Sequence, residues 1–284
     1  MLSRWFHEPA GCVLHRHYRG WSMNALEVRD LGRSFGGLQA LQNVTLSIAQ
    51  GERRVIIGTN GAGKTTLFNL LDGQIRPTRG EIVLFGEPIT ALSTPQRAAR
   101  GLARTFQITS LFAELSVREN IQIAVQALDP CHFSFVRTIE SYRHIGQRVE
   151  ELLAQWQLEH CAAQRVNKLS YGVQRQLEVV MALASRPRVL LLDEPMAGLS
   201  SEETHLVTDI ILALDRAVTV VMIEHDLAAA FRVADRVSAM DQGQVVAEGP
   251  PALIRDDEAL QRIYLRGGAL GTAGPAVSAG GRSQ

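Results

Sequence analysis

Gly58-Thr59-Asn60-Gly61-Ala62-Gly63-Lys64-Thr65 follows directly on the β-branched run Val55-Ile56-Ile57 and leads into Thr66-Leu67-Phe68-Asn69-Leu70-Leu71. The octet has the spacing G-x-x-x-x-G-K-[ST]. A short apolar strand before it and an apolar-periodic helix after it are the context in which that spacing has a physical meaning. Glycines let the backbone curl until several N–H groups point at one phosphate chain, and the helix N-terminus adds its positive end. Lys64 is expected to reach β- and γ-phosphates, and the Thr65 hydroxyl to take a Mg²⁺ ion. Gly58, Asn60, Gly61, Gly63 and Thr66 complete the expected phosphate cradle.

Downstream, Val189-Leu190-Leu191-Leu192 ends in Asp193-Glu194. Four apolar residues closed by two carboxylates read as a strand buried on both faces with its acids at the C-terminal end. Asp193 is expected to hold Mg²⁺, usually through water. Glu194 is then placed to orient and deprotonate an attacking water. Together the two motifs predict a chain that binds a nucleoside triphosphate with Mg²⁺ and hydrolyses it; a GTPase, a kinase or a helicase could equally carry the phosphate loop.

The rest of the chain alternates strand and helix signals. Leu26–Val28, Val44–Ile48, Arg53–Ile57, Glu81–Phe85 and Thr219–Ile223 read as strands. Ser116-Val117-Arg118-Glu119 and Ser200 to Glu203 are capping boxes that start helices. Residues 121–164 carry a mostly helical pattern, and Leu253 to Leu265 reads as a further helix. Alternation of this kind implies an α/β fold with a mainly parallel core sheet. Residues 1–22 show no periodicity and are read as a leader outside the fold or a misassigned start. The Gly-, Ala- and Ser-rich tail 267–284 is too poor in bulky residues to pack.

With 284 residues, 46% of them hydrophobic, and 29 basic against 29 acidic residues, the chain has ample material for a core and no net charge. Neutrality argues against a generic nucleic-acid binder. Cys12, Cys131 and Cys161 are odd in number and far apart, which excludes a disulfide framework and fits a reducing compartment. Pro9-Ala10-Gly11-Cys12 lacks the preceding apolar stretch of a secretory signal. No run reaches the ~18 apolar residues that span a bilayer. Any membrane role is therefore expected to be peripheral, on the inner face.

Asn167-Lys168-Leu169-Ser170 lacks the Asp of a guanine-reading N-K-x-D. Instead, Leu169-Ser170-Tyr171-Gly172-Val173-Gln174 resembles the L-S-G-G-Q signature of ATP-binding cassette (ABC) proteins, with Tyr171 and Val173 departing from the pattern. Phe35 resembles that family's adenine-stacking aromatic. Gln107, in Arg104-Thr105-Phe106-Gln107, resembles its Q-loop glutamine and a further Mg²⁺ contact. Ala197-Gly198-Leu199-Ser200 resembles its D-loop and His225 its switch histidine. The resemblance covers about residues 25–265 and implies a P-loop NTPase fold with an antiparallel β subdomain and a helical subdomain at about 108–168. It also implies a head-to-tail dimer, homo- or heterodimeric, in which Ser170 and Gly172 serve the partner's ATP. The expected partners are transmembrane permease subunits and a periplasmic substrate-binding protein, with the chain on the cytoplasmic face of the inner membrane. The R-T-F-Q and Ser-Tyr-Gly segments and Ile263-Tyr264-Leu265 resemble the branched-chain amino acid importer ATPases. The urea importers and the lipopolysaccharide-export ATPase are close relatives of those. Cassettes that act on DNA or ribosomes differ from this chain in carrying two P-loops or a long coiled coil.

Overall fold

The computed structural model describes residues 23–105, 111–127 and 143–257. Its centre is a six-stranded sheet in the order β10-β9-β3-β8-β7-β6. The strands are β3 (Arg53–Gly58), β6 (Leu102–Arg104), β7 (Val189–Asp193), β8 (Thr219–Ile223), β9 (Arg236–Asp241) and β10 (Gln244–Gly249). All neighbours in it are parallel except β9 and β10. A second, four-stranded antiparallel sheet has the order β2-β1-β4-β5, from β1 (Asn24–Phe35), β2 (Leu38–Ala49), β4 (Arg79–Leu84) and β5 (Glu87–Pro88).

The apolar runs of β3, β7 and β8 are continuous because both faces of this sheet are covered. Successive side chains point to opposite faces, so each run divides between two cores. Val55, Ile57, Leu190, Leu192, Val220 and Met222 join one cluster, together with Leu152, Leu153, Leu177 and Val207 from the helices. Ile56, Leu191, Val221 and Ile223 join the other, with Leu26, Leu46 and Ile82 of the antiparallel sheet and Leu67, Phe68 and Leu71 of α1 (Lys64–Asp72).

Between β4 and β7 lie α2 (Thr94–Ala98), α3 (Val117–Gln126), α4 (Arg143–Gln155) and α5 (Tyr171–Ala184). Beyond β7 come α6 (Ser201–Leu212), α7 (Leu227–Val233) and α8 (Pro251–Arg255). Both capping boxes form as read: Ser116 with Glu119 starts α3, and Ser200 with Glu203 starts α6. A third box, Ser93 with Gln96, opens α2. The C-terminal helix begins at Pro251, two residues before the expected Leu253, because a proline at the first helical turn presets φ and loses no hydrogen bond there. It stops at Arg255, with Asp256 as its cap. Residues 1–22, 106–110, 128–142 and 258–284 lie outside the described residues, and with them the leader, the tail and most of that last expected helix.

Arg97 ties the phosphate-loop helix to this frame. It is 1% exposed, and its guanidinium donates to the carbonyls of Leu70, Leu71, Thr90 and Leu92 at 2.6–3.0 Å. Two of these are carbonyls of the last turn of α1, where helix carbonyls run out of partners further along the helix, although Leu70 O also accepts from Gly73 N at 3.3 Å. Arg97→Met keeps the aliphatic bulk and strands the carbonyls of Leu71, Thr90 and Leu92. It should lower unfolding stability by about 2–4 kcal/mol, since an unmet buried polar group costs ~1–3 kcal/mol. Urea unfolding measures this, and a loss below ~0.5 kcal/mol would show that water takes over the guanidinium's role.

Candidate functional site

The site forms where β3, β7 and β8 end. Across the sheet, Asp193 pairs with Ile223 and Ile223 pairs with Ile56. One row of the parallel ladder thus sets the exits of three strands side by side, at about 4.8 Å per strand. From that row β3 runs into Gly58 and the phosphate loop, β7 into Glu194, and β8 into Glu224 and His225.

The loop needs glycine where its backbone meets β9. A Cβ on Gly58, at φ +151, would lie 2.2 Å from the Met240 carbonyl oxygen. Lys64, 6% exposed, folds back over the loop, and its Nζ donates to the carbonyls of Gly58 at 2.8 Å and Thr59 at 3.0 Å. Burial pushes the Lys64 amine below its ordinary value, and the carboxylates of Glu194 and Asp193 partly offset this. Asn60, Gly61 and Thr65 are exposed at the mouth of the loop, and Thr66 is half-buried.

Asp193 is buried. Its Oδ2 accepts from Arg104 Nη2 at 2.7 Å, and Arg104 Nη1 donates to Asn69 Oδ1 at 2.8 Å. The other oxygen, Asp193 Oδ1, is buried with no hydrogen-bond partner. A buried carboxylate oxygen left without a donor is expensive, so it marks a place where a cation or its water fits. Glu194 stands at φ +49, an unusual backbone conformation for a non-glycine residue and one that collects at functional sites. His225 is exposed, with Nδ1 3.9 Å from Glu194 Oε2 and 4.0 Å from Glu224 Oε2. Phe35, 44% exposed at the end of β1, has the Arg33 guanidinium over its ring at 4.5 Å. Gln107 lies outside the described residues.

Ser170 and Gly172 stand apart, at the N-terminus of α5, where the Ser170 hydroxyl caps the helix by accepting from Val173 N at 3.4 Å. Gly172 N donates to Glu203 Oε1 at 2.8 Å, and a Cβ on Gly172 would fall 2.8 Å from Glu203 Cγ. That hydrogen bond joins the signature segment to the start of α6, a link invisible along the chain. Tyr171, where the family pattern has glycine, accepts from Arg175 Nη2 at 2.7 Å, and Arg175 pairs with Glu178 at 2.7 Å. Burial raises the Glu178 carboxyl, and Arg175 pulls against it. The links of Arg104 to Asp193, of Glu203 to Gly172 and of Glu224 to Met196 were missed from sequence. They join positions 89, 31 and 28 apart, and no local pattern signals that.

The fold and this cluster of phosphate loop, strand-end carboxylates and signature helix define a nucleotide-hydrolysing cassette, and comparison with known proteins agrees. The family described as ABC transporter matches residues 41–197. The chain belongs to that family and is an ATPase subunit of the ABC transporter class. It is 38% identical over 252 residues to the high-affinity branched-chain amino acid transport ATP-binding protein LivG of Escherichia coli (strain K12), covering 86% of this chain and 98% of that protein. It is 31% identical over 244 residues to the lipopolysaccharide export system ATP-binding protein LptB of the same strain, covering 86% and 98%. Among solved structures, the ADP conformation of an ATP-binding cassette of an ABC transporter matches with TM-score 0.76 and 26% identity, over 86% of this chain and 99% of that one. A dimeric cassette in a post-hydrolysis state, bound to ADP and phosphate, matches with TM-score 0.64 and 26% identity, over 80% and 98%.

Lys64→Ala removes the one cation folded into the loop. Tight ATP binding should be lost, because charge-assisted contacts to phosphate are roughly twice as strong as neutral ones. Calorimetric titration with ATP tests this. An affinity within about twofold of wild type would remove Lys64 from the phosphate site.

Proposed function

We propose that this chain powers an importer of branched-chain or other hydrophobic amino acids, hydrolysing ATP at the ends of β3, β7 and β8. The observation that carries the chemistry is the convergence of Lys64, Asp193, Glu194 and His225 on one edge of the sheet. The likeness to LivG supports the cargo class.

In this reading the loop amides and Lys64 hold the β- and γ-phosphates, and Phe35 stacks on the base. The Asp193 oxygen without a partner and the Thr65 hydroxyl, with Gln107, would hold Mg²⁺, which when bound neutralises phosphate charge. Glu194 accepts the proton of the attacking water as its oxygen bonds to the γ-phosphorus and ADP departs. General-base assistance of this kind contributes about 10²–10⁴-fold. His225 holds the phosphate and water in line, an interaction strongest in the transition state.

The dimeric relative supports pairing of two chains; in this reading they pair head to tail, with Ser170 and Gly172 of one chain on the partner's ATP. The described helices include none long and apolar enough to cross a membrane. In this reading transmembrane permease subunits carry the cargo. An apolar cavity of about 300 Å³, walled by Leu102, Leu111, Ala124 and Met181 between β6 and the helices, suits a permease coupling helix. A periplasmic substrate-binding protein completes the importer. The chain works on the cytoplasmic face of the inner membrane and not on nucleic acid. The likeness to LptB favours a second reading, lipopolysaccharide export.

Glu194→Gln keeps size and hydrogen bonding but removes the base. Hydrolysis should slow by about 10²-fold or more, and dimers holding two ATP should accumulate, seen as doubled mass in light scattering. For a heterodimer the sister cassette must be present. Hydrolysis at the wild-type rate would remove Glu194 from the mechanism. Deleting the gene should abolish uptake of labelled leucine, isoleucine and valine. Normal uptake with lipopolysaccharide held at the inner membrane would favour the exporter.

A further inference from the structure

Glu224 has no part in the mechanism above, yet it sits at its centre. It follows β8 directly, is 0% exposed, and precedes His225. Its Oε1 accepts from Met196 N at 3.0 Å and its Oε2 from His225 N at 3.1 Å. Its own N–H donates to the Ile56 carbonyl at 3.2 Å, just before the phosphate loop. One residue is therefore bonded to the exits of all three strands that build the site.

The chemistry of these partners selects a carboxylate. Both groups hydrogen-bonded to the side chain are backbone N–H donors, and an ionised carboxylate is acceptor-only, with an oxygen for each. Burial raises the Glu224 carboxyl, and the amides and His225 draw it back down. A glutamine in its place would present an NH₂ to at least one donor. Burying a carboxylate is costly, and a turn without special demands could be closed with serine or asparagine. Met196 lies two residues beyond Glu194, whose φ of +49 must be held against relaxation by its surroundings. The His225 Nδ1 lies between the two carboxylates, 3.9 Å from Glu194 and 4.0 Å from Glu224.

We propose that Glu224 is a positioning residue for hydrolysis: by clamping the turn after Glu194 to the turn that carries His225, it keeps carboxylate and imidazole aimed at one point. The inference rests on the reading of Glu194 as the base. Small misplacements of catalytic groups cost large factors in rate, whereas the phosphate loop keeps its own contacts without this clamp.

The test compares Glu224→Gln, Glu194→Gln and the double variant in the full chain, following single-turnover ATP hydrolysis and the binding of a fluorescent ATP analogue. Glu224→Gln should lower the hydrolysis rate about tenfold or more with nucleotide affinity within about twofold of wild type. Residues that act as a unit are not additive. The double variant should therefore fall short of the product of the two single losses by about threefold or more. A multiplicative loss, a matching fall in affinity, or a rate within about twofold of wild type would overturn the proposal. If thermal unfolding shows that Glu224→Gln does not fold, Glu224→Asp replaces it. That variant keeps the charge but is too short to span both amides, and the same split between rate and affinity is expected. A wild-type rate for Glu194→Gln alone would defeat the reading of the base, which is a separate failure from that of the clamp.

Discussion

The parallel pairing of β3, β8 and β7 is the constraint on which the rest of this molecule depends. With Ile56, Ile223 and Asp193 in one row, the residues just beyond them are forced to one edge. A slip of one residue in β7 would exchange Leu190 and Leu192 with Leu191 between two filled cores, because side chains alternate strictly along a strand. Packing on both faces therefore fixes the position of the acids to within a residue. Hydrophobic burial, which is not directional, acquires direction here through the ladder.

Charge follows from the same arrangement. A sheet covered on both faces has no place for ions except its ends, and Lys64, Asp193, Glu194 and Glu224 all collect there. Each buried member carries a specific debt to its surroundings: Lys64 to two loop carbonyls, Asp193 to Arg104, Glu224 to two amides. Asp193 Oδ1 is left over, as is the strained backbone of Glu194. Sites that violate local rules in this way are where function concentrates.

Two further links would join the proposed nucleotide chemistry to the proposed partner contact. Arg104 holds Asp193 and also lines the apolar cavity beside α5, so a helix seated there would press on the residue that holds the carboxylate proposed for Mg²⁺. Glu203 holds the Gly172 amide and caps α6, tying the signature segment to the turn that follows Glu194. Both links cross large sequence distances through buried or half-buried hydrogen bonds.

Local signals carried the phosphate loop, the buried strands and two of the capping boxes. Spacing, β-branched runs and Ser-x-x-Glu patterns act within one turn or one strand, so they can be read from neighbours alone. The order of motifs from Phe35 to His225 was enough for the family. Arg97, Arg104, Glu224 and the bond of Glu203 to Gly172 were not legible, and Arg97 would pass in sequence for an ordinary surface arginine. Sequence determined which chemical groups the chain owns and which segments must be buried. Only the tertiary structure decided which polar groups meet, because a hydrogen bond depends on distances of about 3 Å that no spacing along the chain can specify.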